Sequence, residues 1–225
     1  MSDLLSFLST SETFETKTIK VGKYTVGKIW NLDDTKPFIL DIHYAKRMPS
    51  ISYAYGLFEN DILIGIVSYG IPASRTLCSG IAGEKNRPLV LELNRLVLKD
   101  NIKNQASMLI GASFKLLPKP RILVSYADTD QSHLGTVYQA TNFMFTGTTK
   151  LRTDMALEDG KHPRHSMTTD TSYRRVRYPK HRYVYIIGSK KEKKTLLNDL
   201  NYDVIQDYPK QEGWDNEKLV GHGTM

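Results

Sequence analysis

The residues best placed for chemistry lie in RILVSYADTDQSHLGTVYQATNFMFTG, Arg121 to Gly147. It opens with a short apolar run, Ile122 to Val124, that reads as a buried strand. SYADTD follows, a cluster that neither continues the strand nor buries itself cheaply. Gly135 then opens a short helical stretch, GTVYQATNF, in which Val137, Tyr138 and Thr141 share one face. A further strand begins near Met144. This order puts Asp128 and Tyr138 at the carboxyl end of a central strand, where open α/β sheets place their ligands. Ser125, in the same cluster, joins them as a substrate contact.

Each candidate has a chemical and a structural reading. Asp128 orients His43, hydrogen-bonds a substrate or holds a metal; alternatively it caps the next helix, a task Asp130 or Ser132 can also perform. We assign function to Asp128 and capping to Ser132. Tyr138 is a proton donor or a stacking surface, against plain core. His43, after Asp41 and before Tyr44, carries an imidazole that accepts a proton near pH 7, or else caps the end of the first helix. Arg95 lies in the apolar run LVLELNRLVLKD, where a buried guanidinium must be paired. It pairs with Glu92, or it clamps a phosphate or acyl carbonyl with its planar fork. His133, His162, His165 and His181 match no compact ligand spacing, so no metal site is assigned.

The elements that must position these residues follow from patterning. Residues 18–29 alternate as a first strand. Thr35 is placed as the N-cap of a helix through Ile39, Ile42 and His43, closed by Pro49. ISYAYGLFE and DILIGIVSYG are β-rich runs joined at Asn60-Asp61, a hairpin signal. Residues 72–88, rich in Pro, Gly, Ser and charge, read as a long binding loop. LVLELNRLVLKD is a strand, and Asn104 starts a helix with Ala106, Leu109, Ile110, Ser113 and Leu117 on one stripe, ended by Pro118 and Pro120. HRYVYIIGS is a last strand and KKEKKTLLNDLNY a last helix. The class is α/β, a mixed central sheet flanked by helices in a single domain over residues 1–195, with a basic insertion at about 158–180 and a helix end and tail over 196–225.

Composition narrows the function classes. No run of eighteen apolar residues exists, which argues against a membrane span. The first sixteen residues lack the basic start of a signal peptide. A single cysteine, Cys78, rules out an internal disulfide and a Cys-based zinc cluster, and an intracellular setting is expected. The formal charge is +7, and residues 160–194 alone carry +9. Such concentration is the footprint of a polyanion binder. The cations assigned to it are Lys161, Arg164, Arg174, Arg175, Arg177, Lys180, Arg182, Lys190 and Lys191.

The element order and GTVYQATNFMFTG resemble the GNAT acyltransferase superfamily, with Tyr138 at the position of a tyrosine that in many such enzymes protonates the leaving group. More closely, five segments resemble the phage Mom family of DNA-modification proteins: HYAKRMPSISYAYGLF from His43, LVLELNRLVLKDN from Leu89, KLLPKP from Lys115, VSYADTDQSHLGTVYQATNF from Val124 and KHRYVYIIGSKKEKK from Lys180. The resemblance implies a GNAT-like fold and a transferase that places a carbamoylmethyl-type two-carbon unit on adenine N6 in double-stranded DNA. Such a product protects phage DNA from restriction in the cytoplasm of the infected host. It also implies His43, Tyr44, Arg95, Asp128 and Tyr138 as functional positions. Tyr53, Tyr55 and Tyr69 would then stack on an extruded adenine, or else be packed tyrosines. GNAT enzymes hold coenzyme A pyrophosphate on a glycine-rich turn at a helix N-terminus. The matching stretch here, KNQASMLIG, offers Asn104, Gln105 and Ser107 but not those glycines. The donor is therefore acetyl-CoA or glycyl-tRNA, with tRNA a second nucleic-acid partner. Two rivals stand beside this reading: an ordinary GNAT acetyltransferase acting on protein, small molecule or tRNA, and a non-catalytic nucleic-acid-binding phage protein.

Overall fold

A left-handed glycine splits the first alternating run in two. In the computed structural model, which describes residues 17–156 and 173–210, Gly22 has φ +61° and turns the chain between β1 (Ile19–Val21) and β2 (Tyr24–Lys28). The two strands pair antiparallel, so the single expected strand is a hairpin. The cap that follows is Asn31, whose side chain accepts from the Asp33 N–H at 3.1 Å. Thr35, the expected cap, instead donates its hydroxyl to the Leu32 carbonyl at 2.6 Å. The expected helix is one π-type turn, Pro37–Ile42, led by a proline and closed by the His43 N–H on the Phe38 carbonyl. Phe38 and Ile39 bury beneath it.

The described residues form two compact units, one of residues 17–75 with Leu91–Arg121, the other of Thr76–Val90 with the described residues between 122 and 210. In the first unit, β3 (Tyr53–Glu59) and β4 (Ile62–Gly70) form the hairpin expected at Asn60-Asp61. Both turn residues have positive φ, the geometry that matches strand twist. Strands run β1-β2-β3-β4 and then β5 (Val90–Leu98), every neighbouring pair antiparallel. The helix expected at Asn104 spans Gln105–Leu116 and packs on β1 to β4, burying Leu109, Ile110, Ser113 and Phe114. On the other face of these strands the π-type turn covers a core of Ile29, Phe38, Ile39, Ala54, Ile66 and Val97.

The second unit overturns one expectation. Residues 75–86 are a helix, α1 (Arg75–Asn86), not a loop. It breaks at Ala82-Gly83, where Gly83 has φ +78°. Counting Pro, Gly and Ser hid the helical spacing of Cys78, Ile81 and Ala82, which bury against Val90, Ile122, Val124, Val184, Ile186 and Leu196. The helix of Gln105–Leu116 is therefore α2. β6 (Arg121–Asp128) runs through SYAD as well as ILV, because Ser125 and Ala127 bury on alternate positions. The strand order is β6, then β10 (Lys180–Ile187), then β7 (Met144–Thr148). Between them stand α3 (Thr136–Ala140) and a separate two-stranded antiparallel ribbon of β8 (Arg152–Ala156) and β9 (Tyr173–Arg177). Part of the expected 158–180 insertion is thus strand; its residues 158–172 lie outside the described residues. α4 (Lys190–Asn198) packs on β10 and opens with a capping box: Ser189 accepts from Glu192 N–H, and Glu192 accepts from Ser189 N–H at 2.7 Å. Among the described residues no helix is long and apolar enough to cross a membrane.

Two stability outcomes follow. Gly135 enters α3 at φ +77°, and a Cβ there would sit 2.4 Å from the Tyr183 ring. Gly135→Ala should cost about 2 kcal/mol or more, read as a lower urea midpoint. The bonds from Ser189 hold the Glu192 carboxyl below its ordinary 4.5. A depressed acid stabilises the fold above its unfolded pKa, and that contribution is lost as pH falls through the folded value. The urea midpoint of wild type should therefore exceed that of Glu192→Gln at pH 7, and the gap should narrow below pH 4.5.

Candidate functional site

The expected site residues divide between the two units. In the first, His43 follows the π turn on extended backbone, with φ −68° and ψ 134°. Its Nδ1 accepts the Ala45 N–H at 3.0 Å, and its ring stacks on Tyr44 at 4.4 Å between centroids. Tyr44 is 51% exposed. An imidazole that accepts at Nδ1 carries its neutral-form proton on Nε2. In this conformation Nε2 is a donor, and work as a base requires Nδ1 to leave Ala45.

Arg95 stands on β5, opposite Ser68 of β4. Its hydrogen bonds go to backbone carbonyls rather than to Glu92: Nη1 donates to Asn94 at 2.6 Å and Nη2 to Arg47 at 2.8 Å. Nε is buried with no partner among the described residues. Burial pushes the guanidinium pKa down. Carbonyls position a guanidinium without cancelling its charge, so Arg95 keeps a field suited to an anion or an oxyanion. Asn94, beside it, accepts from the Ser68 hydroxyl at 2.7 Å and donates to the Ser50 carbonyl at 2.8 Å. Asn94 and Arg95 thus tether residues 47–50, just beyond His43 and Tyr44. Asn94 was not among the expected site residues, although two adjacent polar residues inside an apolar strand were the signal.

The expected tyrosine platform is mostly core. Tyr55 and Tyr69 are 2% and 0% exposed. Tyr69 shares a 2.6 Å hydrogen bond with Ser113, and burial, with the nearby Tyr53, pushes the Tyr55 phenol up to about 12. Tyr53 alone of the three is half-buried. The expected donor cradle at the start of α2 also turns inward. Gln105 is 2% exposed and donates to the Tyr24 hydroxyl at 3.0 Å, while the Ser107 hydroxyl returns to the Asn104 carbonyl at 3.0 Å. Gln105 is thus taken up by the fold, while Asn104 is exposed at the start of α2.

In the second unit, Asp128 ends β6 with its side chain 15% exposed. One oxygen accepts the Asp130 N–H at 3.2 Å and caps the 3-10 turn Thr129–Gln131; the other pairs with Lys180. Asp128 therefore performs the capping we assigned to Ser132, which instead sits at the end of that turn at φ +54°. Ser125 is buried on the same strand. Tyr138, on α3, is half-buried with its ring 5.4 Å from Phe143 and 5.3 Å from Tyr183. The Tyr183 hydroxyl donates to the Leu134 carbonyl and accepts from Gln139 at 3.2 Å, which fixes the loop ahead of α3.

The cations expected to meet a polyanion differ in availability. Lys180 is held by Asp128. Arg182 lies 3.3 Å over the Tyr202 ring and donates to Thr146 Oγ1 at 3.0 Å, so its guanidinium serves the fold. Arg174 and Arg175 are exposed on β9, Arg177 pairs with Asp154 at 2.8 Å, and Lys190 and Lys191 are exposed on the first turn of α4. Lys161 and Arg164, like His162 and His165, lie outside the described residues. His181 shares a 2.9 Å hydrogen bond with Thr148, and burial lowers its pKa. Among the described residues no three His, Cys, Asp or Glu groups gather as a metal site would require.

Comparison with known proteins gives this arrangement its relatives. The chain is 31% identical over 111 residues to the methylcarbamoylase Mom of Escherichia phage Mu, a match covering 47% of this chain and 46% of that protein. The chain thus spans about half the length of the curated relative it matches. Among solved structures it is similar to the ribosomal-protein-S5-alanine acetyltransferase of Vibrio fischeri, at 11% identity, 77% and 98% coverage of this chain and that one, and TM-score 0.47. It is also similar to a probable GNAT-family acetyltransferase of Chromobacterium violaceum, at 10% identity, 78% and 94% coverage, and TM-score 0.44. Residues 23–210 match the family model described as the Mom protein family. That match takes in both units and every described candidate residue above, and the chain belongs to the Mom family.

Proposed function

We propose that this protein is a phage DNA-modification transferase that places a two-carbon, carbamoylmethyl-type unit on adenine N6 in duplex DNA. The observation that carries the reading is the family match over residues 23–210, supported by the resemblance to a phage methylcarbamoylase. The exposed arginines of β9 supply a surface for the phosphate backbone. The adenine amine lies inside the duplex, so the base leaves the stack to react, at a cost of a few kcal/mol.

In this reading His43, Tyr44, Arg95, Asp128 and Tyr138 are the functional positions. Within the first unit, the Arg95 guanidinium and the Nε2 N–H of His43 suit an oxygen on which charge develops. Within the second, the Tyr138 hydroxyl is a group able to exchange a proton, and Asp128 keeps its carboxylate while capping its own turn. The two donors differ in what they leave on the base. Acetyl-CoA would release coenzyme A and leave an N6-acetyl amide, which lacks the carbamoyl nitrogen. With glycyl-tRNA, N6 attacks the ester carbonyl, the tRNA leaves as its free hydroxyl, and an N6-glycyl amide forms. Addition of the glycyl amine to C6 and cleavage of the old C6–N6 bond then give the isomeric carbamoylmethyl adduct, with no oxidant required.

Mass spectrometry of nucleosides from cells expressing the chain should reveal a new adenine derivative, and labelled acetate or glycine should distinguish the donors. Unmodified adenine would reject the reading. Asp128→Asn keeps an oxygen for the Asp130 N–H but removes the charge facing Lys180. It should fold and bind duplex DNA while losing most modification activity; full activity would remove Asp128 from the machinery. Replacing Arg174, Arg175 and Arg177 with Gln should weaken DNA binding and flatten its salt dependence by about 1 in log–log slope for each phosphate no longer neutralised. Unchanged binding would place the DNA elsewhere.

A further inference from the structure

The β8–β9 ribbon has a feature that backbone gripping does not explain. The register sets Arg152 opposite Arg177 and Asp154 opposite Arg175, so these four side chains share one face. Thr153, Met155, Arg174 and Val176 share the other. Both faces are largely exposed, and Met155 and Val176 stand among the exposed apolar side chains of the molecule. A carboxylate in the middle of a cationic face opposes phosphate binding. Asp154 is nonetheless the residue that holds Arg177, at 2.8 Å through Nε, with Arg152 at 3.7 Å on its other oxygen. Surface pairs of this kind add little stability, so the effect of this one is positional. The bond to Asp154 runs from Nε, so the planar Nη1–Nη2 fork of Arg177 is not the part that Asp154 holds.

We propose that this ribbon enters the major groove of duplex DNA and that Arg177, oriented by Asp154, reads a guanine through its O6 and N7. The proposal rests on the DNA-modification reading above and deepens it, because a base contact selects which adenines the enzyme meets. A two-stranded ribbon matches the width of the major groove, about 12 Å, and the Arg fork matches the two acceptors of guanine. The net positive charge of the face matches the polyanion. Arg175 and Arg152 flank the reading residue and reach for phosphates, which position the ribbon without reading sequence.

The test uses the full chain and a pool of short duplexes with a randomised centre. Wild type should enrich one guanine position. Arg177→Lys keeps the charge but loses the fork, and should lower the preference at that position about tenfold while leaving the salt dependence and the circular dichroism spectrum unchanged. Asp154→Asn should lower it partly. Placing 7-deazaguanine, which lacks N7, at the enriched position should weaken wild type and leave Arg177→Lys unaffected. Inosine, which lacks only the minor-groove amine, should change nothing. Salt-dependent binding without a preferred guanine, a preference intact in Arg177→Lys, or sensitivity to inosine instead of 7-deazaguanine would each overturn the ribbon proposal alone. Absence of duplex binding by wild type would overturn the DNA reading beneath it.

Discussion

A polar side chain inside an apolar strand must find its partners where it stands. In the first unit Asn94 and Arg95 find theirs in the backbone of residues 47–50. That segment has no helix or ladder of its own, so these side-chain bonds provide anchorage that secondary structure does not. His43 and Tyr44 stand immediately before it. The same solution recurs in the second unit, where Asp128 ends β6 by satisfying the N–H of Asp130 and the ammonium of Lys180. In both units the groups with chemical potential are also the groups that hold the chain around them. A buried polar group that is half satisfied costs more than an apolar one, which is why such residues serve both ends at once.

This double use changes how the candidate residues divide. Arg95 and Asp128 are fixed by backbone atoms, so their geometry does not depend on a substrate being present. Fixed dipoles and charges need no reorganisation when charge develops, the usual source of electrostatic catalysis. Tyr55 and Tyr69, by contrast, give their rings wholly to packing.

Much of the architecture was legible in the sequence because periodicity and turn chemistry agree there. Asn60-Asp61 between two β-rich runs and Pro118 after a helical stripe each name their structure locally. Where the fold departs from expectation, composition and spacing disagree. Residues 75–86 look like a loop by their Gly and Ser content, yet Cys78, Ile81 and Ala82 recur at helical intervals. SYAD looks like a strand end by polarity, yet Ser125 and Ala127 alternate into the core. At the site, residue types were legible but hydrogen-bond partners were not. Nothing local in sequence says that His43 accepts from Ala45, that Gln105 turns to Tyr24, or that Lys180 spends its charge on Asp128.

The residues beyond α4 have a role that neither unit's chemistry requires. β7 ends the strand order, and its outer backbone is met by Ile205, which donates its N–H to the Phe145 carbonyl at 2.9 Å, while the Tyr208 hydroxyl donates to Phe143 at 2.8 Å. An open strand edge is a template for another chain. By laying a short segment along that edge, the polypeptide occupies its own adhesive surface. A chain ending at Tyr202 would keep Leu200 and Tyr202 on the core and expose that edge, so its solubility would suffer before its fold did.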